Sequence, residues 1–134
     1  MDHPQTPIKV LYVDDDGVIA ESCCELLNLR DGFQATPCKI PEKSIELAED
    51  NHPDVVVTDI MMPGMSGFQV IDKIHEISPE TKILVISAFL DTANEAQKHP
   101  IDAFYAKPLS CDQLEKVIRG VSAGLSQDEI GVPQ

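Results

Sequence analysis

Short apolar runs of strand length alternate along this chain with stretches whose apolar residues recur every three or four positions. IKVLYV, VVVT and KILVIS are rich in β-branched residues, and DAFYAK is an apolar run with two aromatic residues, so each predicts a strand. ILVIS is too continuously apolar for a sheet with one wet face, which points to burial on both sides. FQATPC is a weaker strand, and Pro37 inside it argues for a sheet edge, because proline cannot donate to a central ladder. Ile19, Cys23, Leu26, Leu27 and Arg30 step by three and four and predict a helix over 17–31, with Gly32 as its stop signal. A second helix over 41–51 turns Ile45 and Ala48 inward and ends at His52-Pro53-Asp54. Past Gly67, the residues Val70, Ile71, Ile74 and Ile77 form a stripe stopped by Ser78 and Pro79. Residues 90–98 are polar but helix-permissive, with only Leu90, Ala93 and Ala96 suited to a core. A last helix carries Leu114, Val117, Ile118 and Val121 in period, with Ser110 as its N-cap.

Strands alternating with helices in this way predict one doubly wound, five-stranded parallel sheet, an α/β fold with helices on both faces and right-handed crossovers. The alternation does not set strand order, although Pro37 sends the second strand to an edge. In the flavodoxin-like (βα)5 order 2-1-3-4-5, the first and third strands flank the switch point where ligands bind.

Polar residues stand at the ends of the strand runs, and there they change the picture. Asp14, Asp15 and Asp16 follow the first run, Asp59 the third, Ser87 the fourth and Lys107 the fifth. The carboxyl ends of parallel strands form one rim, so these groups are predicted to converge. Clustered carboxylates repel unless a cation intervenes, and a few hard oxygen ligands with room for water and phosphate oxygens suit Mg2+ best. A carboxylate can itself be the nucleophile toward an activated phosphoryl group, and Asp59, alone at its strand end, is the best candidate. A metal, Lys107 and Ser87 would then place positive charge and donors around the phosphoryl oxygens. Asp16 reads more simply as the cap of the first helix.

Composition narrows the function classes. At 134 residues the chain suits a single domain, and a formal charge of −13 argues against direct nucleic acid binding or attachment to an anionic membrane. No apolar run reaches membrane-spanning length and no leader precedes Ile8, so a cytoplasmic protein is expected. Cys23, Cys24, Cys38 and Cys111 show neither zinc-site nor redox-pair spacing and read as free thiols. His3, His52, His75 and His99 are scattered and read as surface residues.

The acidic pair in YVDD, the stretch VVVTDIMMPGMSG, Ser87-Ala88 and Lys107-Pro108 occur together in an order that resembles the receiver domain of bacterial two-component response regulators, over residues 7–124. Residues 125–134 are then a tail or the start of a linker. The resemblance implies a phosphorylation-dependent signalling switch rather than a turnover enzyme. Its phosphoacceptor would be Asp59, charged by a sensor histidine kinase or phosphotransfer protein with Mg2+. It implies Mg2+ ligation by Asp14, Asp15, Asp59 and the backbone carbonyl of Met61. It further implies stabilisation of the phosphoryl group by Ser87 and Lys107, switching through Ser87 and Phe104, and a cis peptide between Lys107 and Pro108. Pro63, Gly64 and Gly67 would shape the loop after Asp59. The implied partners are the phosphodonor and a downstream effector protein or domain, with the chain a monomer or a phosphorylation-dependent dimer. Phe89 and Met61 would flank the site and slow the approach of water to the acyl phosphate. Pro100-Ile101 stands where the family has Gly-Ala, and the span from Ser87 to Lys107 is about two residues short, which singles out the fourth helix as a departure.

Two other readings compete. VDDDGV resembles the opening of haloacid-dehalogenase-type phosphatases, with Asp14 as nucleophile and Asp16 as acid. That family's metal-binding acids follow its lysine, and no acidic pair in a strand context follows Lys107 here. A degenerate receiver used only for protein contacts would have lost one or more rim residues, and none is lost.

Overall fold

A computed structural model describes residues 6–132. Its strands are β1 (Ile8–Val13), β2 (Phe33–Cys38), β3 (Val55–Thr58), β4 (Lys82–Ser87) and β5 (Ala103–Ala106). Its helices are α1 (Gly17–Asn28), α2 (Pro41–Asn51), α3 (Gly67–Ile77), α4 (Ala93–Ala96), α5 (Cys111–Ser122) and α6 (Gln127–Ile130). All strand pairs are parallel and the order is β2-β1-β3-β4-β5, so β2, with Pro37 opposite Tyr12, lies at an edge. The 2-1-3-4-5 doubly wound sheet expected from the chain is therefore the observed one.

Alternation along the strands divides the core into two layers. Val10 and Tyr12 of β1, Val55 and Val57 of β3, and Leu84 and Ile86 of β4 join Ala20, Cys24 and Leu27 of α1 with Leu114, Val117, Ile118 and Val121 of α5. The intervening Leu11, Val13, Val56, Ile83 and Val85 face Ala48 of α2, Val70, Ile71 and Ile74 of α3, and Ala96 of α4. Tyr105 goes to the first layer and Phe104 to the second. The central strands are thus apolar on both faces because both faces are covered.

Helix ends follow local chemistry. Asp16 caps α1, its Oδ1 accepting from the amides of Val18 and Ile19 at 3.1 and 3.2 Å. Ser66 and Ser110 each form a reciprocal capping box with the glutamine three residues on, at the starts of α3 and α5. Pro41 opens α2, and His52 closes it in the left-handed region at φ 48°. α1 stops at Asn28, short of the expected 31, because the Leu29 amide folds back to Glu25 and Leu27 and the Arg30 amide to Leu27.

Two stretches depart from the sequence-based expectation. Residues 90–98 form a 3₁₀ turn (Leu90–Thr92) and the single turn of α4, with Ala96 buried; the side chain of Leu90 lies outside the described residues. One small apolar anchor sustains no more than one turn, and the following loop is held instead by His99. The His99 Nδ1 pairs with Asp72 of α3 at 2.7 Å, its Nε2 with Glu95 at 3.2 Å, and its ring stacks on Phe68 with centroids 4.6 Å apart. The second departure is 125–132, placed beyond the domain by its polar composition but packed against it here. Ser126 forms a third capping box with Glu129, and Ile130 and Val132 are buried. Residues 1–5, including His3, and 133–134 lie outside the described residues.

Candidate functional site

The rim at the carboxyl ends of β1, β3 and β5 carries a bridged pair of carboxylates. Strand β1 delivers Asp14, which is 1% exposed, and β3 delivers Asp59 directly after Thr58. Lys107, just past β5, donates from Nζ to Asp14 Oδ2 at 2.9 Å and to Asp59 Oδ2 at 2.8 Å. The other oxygens are held by backbone: Asp14 Oδ1 accepts from the Asp16 amide at 3.0 Å, and Asp59 Oδ1 from the Ile60 amide at 2.7 Å. Burial opposes the charged form of Lys107, but its hydrogen bonds to Asp59 and Asp14 outweigh it and hold the ammonium above its ordinary range. The lysine is therefore a fixed positive charge between the two carboxylates.

Asp15 is exposed and completes an acidic trio. Single oxygens of Asp14, Asp15 and Asp59 all lie within 4.8 Å of one another, a set that can hold a metal ion. Lys107 pairs with only two of the three, Asp14 and Asp59, and such a hard-oxygen donor set with surplus carboxylates fits a Mg2+-type cation. Met61 follows two residues after Asp59, its side chain 56% exposed, and Phe89 is 51% exposed two residues after Ser87. Met62, by contrast, is buried in the second core layer.

The loop after Asp59 depends on close backbone approach. A Cβ on Gly67 would lie 2.1 Å from the carbonyl oxygen of Asp59 and 2.7 Å from Cα of Ile60, so only glycine lets α3 start against the acid-bearing segment. The Gly67 amide donates to the Ile60 carbonyl at 2.9 Å and fixes that approach. Gly64 turns the loop at φ 84°, and the Lys107–Pro108 peptide is cis.

Ser87 is fully buried at the end of β4, and its hydroxyl is not hydrogen-bonded to the side chain of Asp59 or of Lys107. Its Oγ accepts from the Phe89 amide at 3.1 Å, and Thr92 Oγ1 approaches it at 3.5 Å while donating to the Phe89 carbonyl at 2.6 Å. Thr92 is a neighbour that strand and helix patterns gave no reason to single out. Phe104 is 6% exposed and lies in the second layer with Val85 and Ala96. Its peptide is held by a residue sequence reasoning also missed: Gln127 Oε1 accepts from the Phe104 amide at 3.1 Å, and Gln127 Nε2 donates to the Phe104 carbonyl. A lone glutamine in a polar segment carries no signal of such a role.

The remaining titratable groups lie outside the trio. All four cysteines are free, and burial pushes the Cys24 thiol up to about 12 and raises Cys23 and Cys38 in the same direction. Among the described residues, no helix is long and apolar enough to cross a membrane.

Comparison with known proteins agrees with this geometry. The family model of the response regulator receiver domain matches residues 10–119. A cyclic di-GMP phosphodiesterase of Thermotoga maritima is 35% identical over 109 residues, covering 80% of this chain and 29% of that protein. The nitrate/nitrite response regulator protein NarL of Escherichia coli is 28% identical over 123 residues, covering 90% of this chain and 57% of that protein. The chain thus spans well under two thirds of these curated relatives. The solved receiver domain of the Francisella response regulator 1452 is 28% identical, with a TM-score of 0.77 over 87% of this chain and 97% of that one. A CheY-like receiver domain protein from Methanospirillum hungatei shares the fold at a TM-score of 0.82 and 22% identity, over 94% of this chain and all of the other.

Proposed function

The chain belongs to the response regulator receiver domain family, and from that membership we propose that it is a two-component signalling switch whose phosphoacceptor is Asp59. The donor is a phosphohistidine on a sensor kinase or phosphotransfer protein. An Asp59 carboxylate oxygen attacks the phosphorus, a P–O bond forms, and the P–N bond breaks. Its electron pair returns to the imidazole, and the product is an acyl phosphate. Asp14, Asp15, Asp59 and the Met61 carbonyl are the groups that would hold Mg2+, which when bound offsets carboxylate repulsion and the charge on the phosphoryl oxygens.

The observation that carries this reading is the shared ammonium: Lys107 contacts both Asp14 and Asp59 at under 3 Å. A cation held this way is already positioned for the oxygens of a group attached to Asp59, and needs little reorganisation to meet them. The Ile60 amide fixes the orientation of the Asp59 carboxylate. The Ser87 hydroxyl, whose partners are only Phe89 and Thr92 of its own loop, with its donor contact at 3.5 Å, is available to a new acceptor, and its movement would vacate space next to the layer that contains Phe104. Charging Asp59 would thereby shift a population between two arrangements of the surface around β4 and β5. That surface is where a downstream effector would read the state, and the chain acts as a switch rather than a turnover enzyme.

The test is intact-mass spectrometry after incubation with acetyl phosphate, with and without Mg2+, on the wild type and on Asp59→Asn. A single Mg2+-dependent phosphoryl adduct, absent from Asp59→Asn, is the expected result. No adduct on a folded protein overturns self-catalysed charging. Donor turnover that survives Asp59→Asn but not a substitution of Asp14 replaces this reading with the phosphatase one.

A further inference from the structure

Strand β5 is the edge of the sheet opposite β2, so its outward backbone groups have no strand to pair with. The primary amide of Gln127 supplies what a neighbouring strand would: an acceptor for the Phe104 amide and a donor for the Phe104 carbonyl. Gln127 is held in place by its own segment. The Ser126–Glu129 capping box starts the turn, the Leu125 amide donates to the Gly120 carbonyl at 2.9 Å, and glycines 124 and 131 bound it at φ 83° and 80°. The anchor is Ile130, seated over Gly120 of α5, where a Cβ would lie 2.5 Å from Ile130 Cγ1. Val132 then completes the core layer beneath α5.

The strand so fastened is only four residues long. Within it Ala106 pairs with Ser87, and the following Lys107 amide donates to the Ser87 carbonyl at 2.9 Å. One short segment therefore connects the Gln127 amide to both the hydroxyl and the ammonium of the rim. We propose that residues 125–132 form a strap that positions β5, with Gln127 as the positioning residue through which attachment of the strap and placement of Lys107 and Ser87 are coupled. Displacing β5 to serve a charged Asp59 loosens the strap, and loosening the strap frees the rim. The link between strap and rim stands on the Gln127 side-chain hydrogen bonds to β5 and the backbone pairing of β5 with β4; its effect on phosphoryl transfer rests on the role given to Asp59 above.

Residue-resolved amide hydrogen exchange on the full chain tests the link, using the wild type, Gln127→Ala, Gln127→Glu and Ile130→Ala. Loss of both Gln127 bonds is expected to speed exchange of the Phe104 amide roughly tenfold and to speed the Lys107 amide in the same direction. Gln127→Glu keeps the acceptor but sets a carboxylate oxygen against the Phe104 carbonyl, so it is expected to restore only part of the protection of the Phe104 amide. Ile130→Ala loosens the strap without touching β5, so faster exchange at Phe104 and Lys107 in that variant means the effect has passed through the strap. Unchanged Lys107 exchange while the Phe104 amide opens overturns the proposal and leaves the strap a mere cover for an edge. Where the wild type takes up a phosphoryl group, charging is expected to raise exchange across 126–132, and the Gln127→Ala charging rate to differ from wild type by more than twofold. Protection of the strap that ignores the state of Asp59 overturns the coupling to transfer. A wild type that takes up none counts against the role of Asp59, and the Lys107 exchange still decides the strap.

Discussion

Replacing Lys107 with methionine keeps an unbranched apolar stem, one atom shorter, and deletes the charge that bridges Asp14 and Asp59. Two charge-assisted hydrogen bonds of 2.9 and 2.8 Å are lost, and a carboxylate 2% exposed is left facing another that is 12% exposed. Breaking a buried ion pair from one side costs about 3–5 kcal/mol, because the remaining charge stays buried without its partner. Lys107 itself is 22% exposed, so water screens part of the interaction, and the lower end, about 3 kcal/mol, is expected. For a domain of this size that is a fall in Tm of about 10 °C. Urea denaturation in metal-free buffer gives the loss directly, and the slope should stay at the wild-type value. Two further measurements isolate the cause. Asp14→Asn on the Lys107→Met background should regain stability, since it removes one of the two stranded charges. Mg2+ should stabilise Lys107→Met more than it stabilises the wild type, because the acidic trio then has no other cation. A Lys107→Met protein as stable as the wild type, or one made worse by Asp14→Asn, refutes the electrostatic account of the rim.

Two other outcomes follow from the geometry. Gly67→Ala drives a Cβ into the Asp59–Ile60 backbone and should cost about 1–3 kcal/mol despite alanine's better helix propensity, seen as a lower urea midpoint together with slower charging of Asp59. The Asp72 hydrogen bond, with Glu95 adding to it and partial burial opposing, raises the affinity of His99 for its proton. Its stabilisation is therefore complete below the ordinary histidine pKa of about 6.5 and is lost as pH rises through the higher folded-state value. Asp72 and Glu95 are about half exposed, so the effect is under about 1 kcal/mol; urea titrations at low and high pH should show it in the wild type and not in His99→Gln.

Much of this protein was legible in one dimension because its signals are local. Strand runs apolar on both faces declared a covered parallel sheet. Pro37, lacking a donor, marked an edge strand, and Ser110 marked the start of the last long helix. The acids, hydroxyl and lysine at strand ends were predicted to converge, because parallel strands must all finish on one side. What happens between those residues was not legible. That Lys107 reaches Asp14 and Asp59 together while Ser87 turns to Phe89 and Thr92 depends on strand register and rotamer, which are set only when the layers pack. The length of the fourth helix was decided by how little apolar surface Ala93 and Ala96 can bury and by His99 reaching across to α3. Above all, LSQDEIGVPQ has the polarity of a linker, and the attachment of residues 125–132 comes from a slot at Gly120 and an unpaired edge at Phe104. Periodicity reports which face of an element is apolar; it cannot report a binding surface that exists only after two other elements have come together.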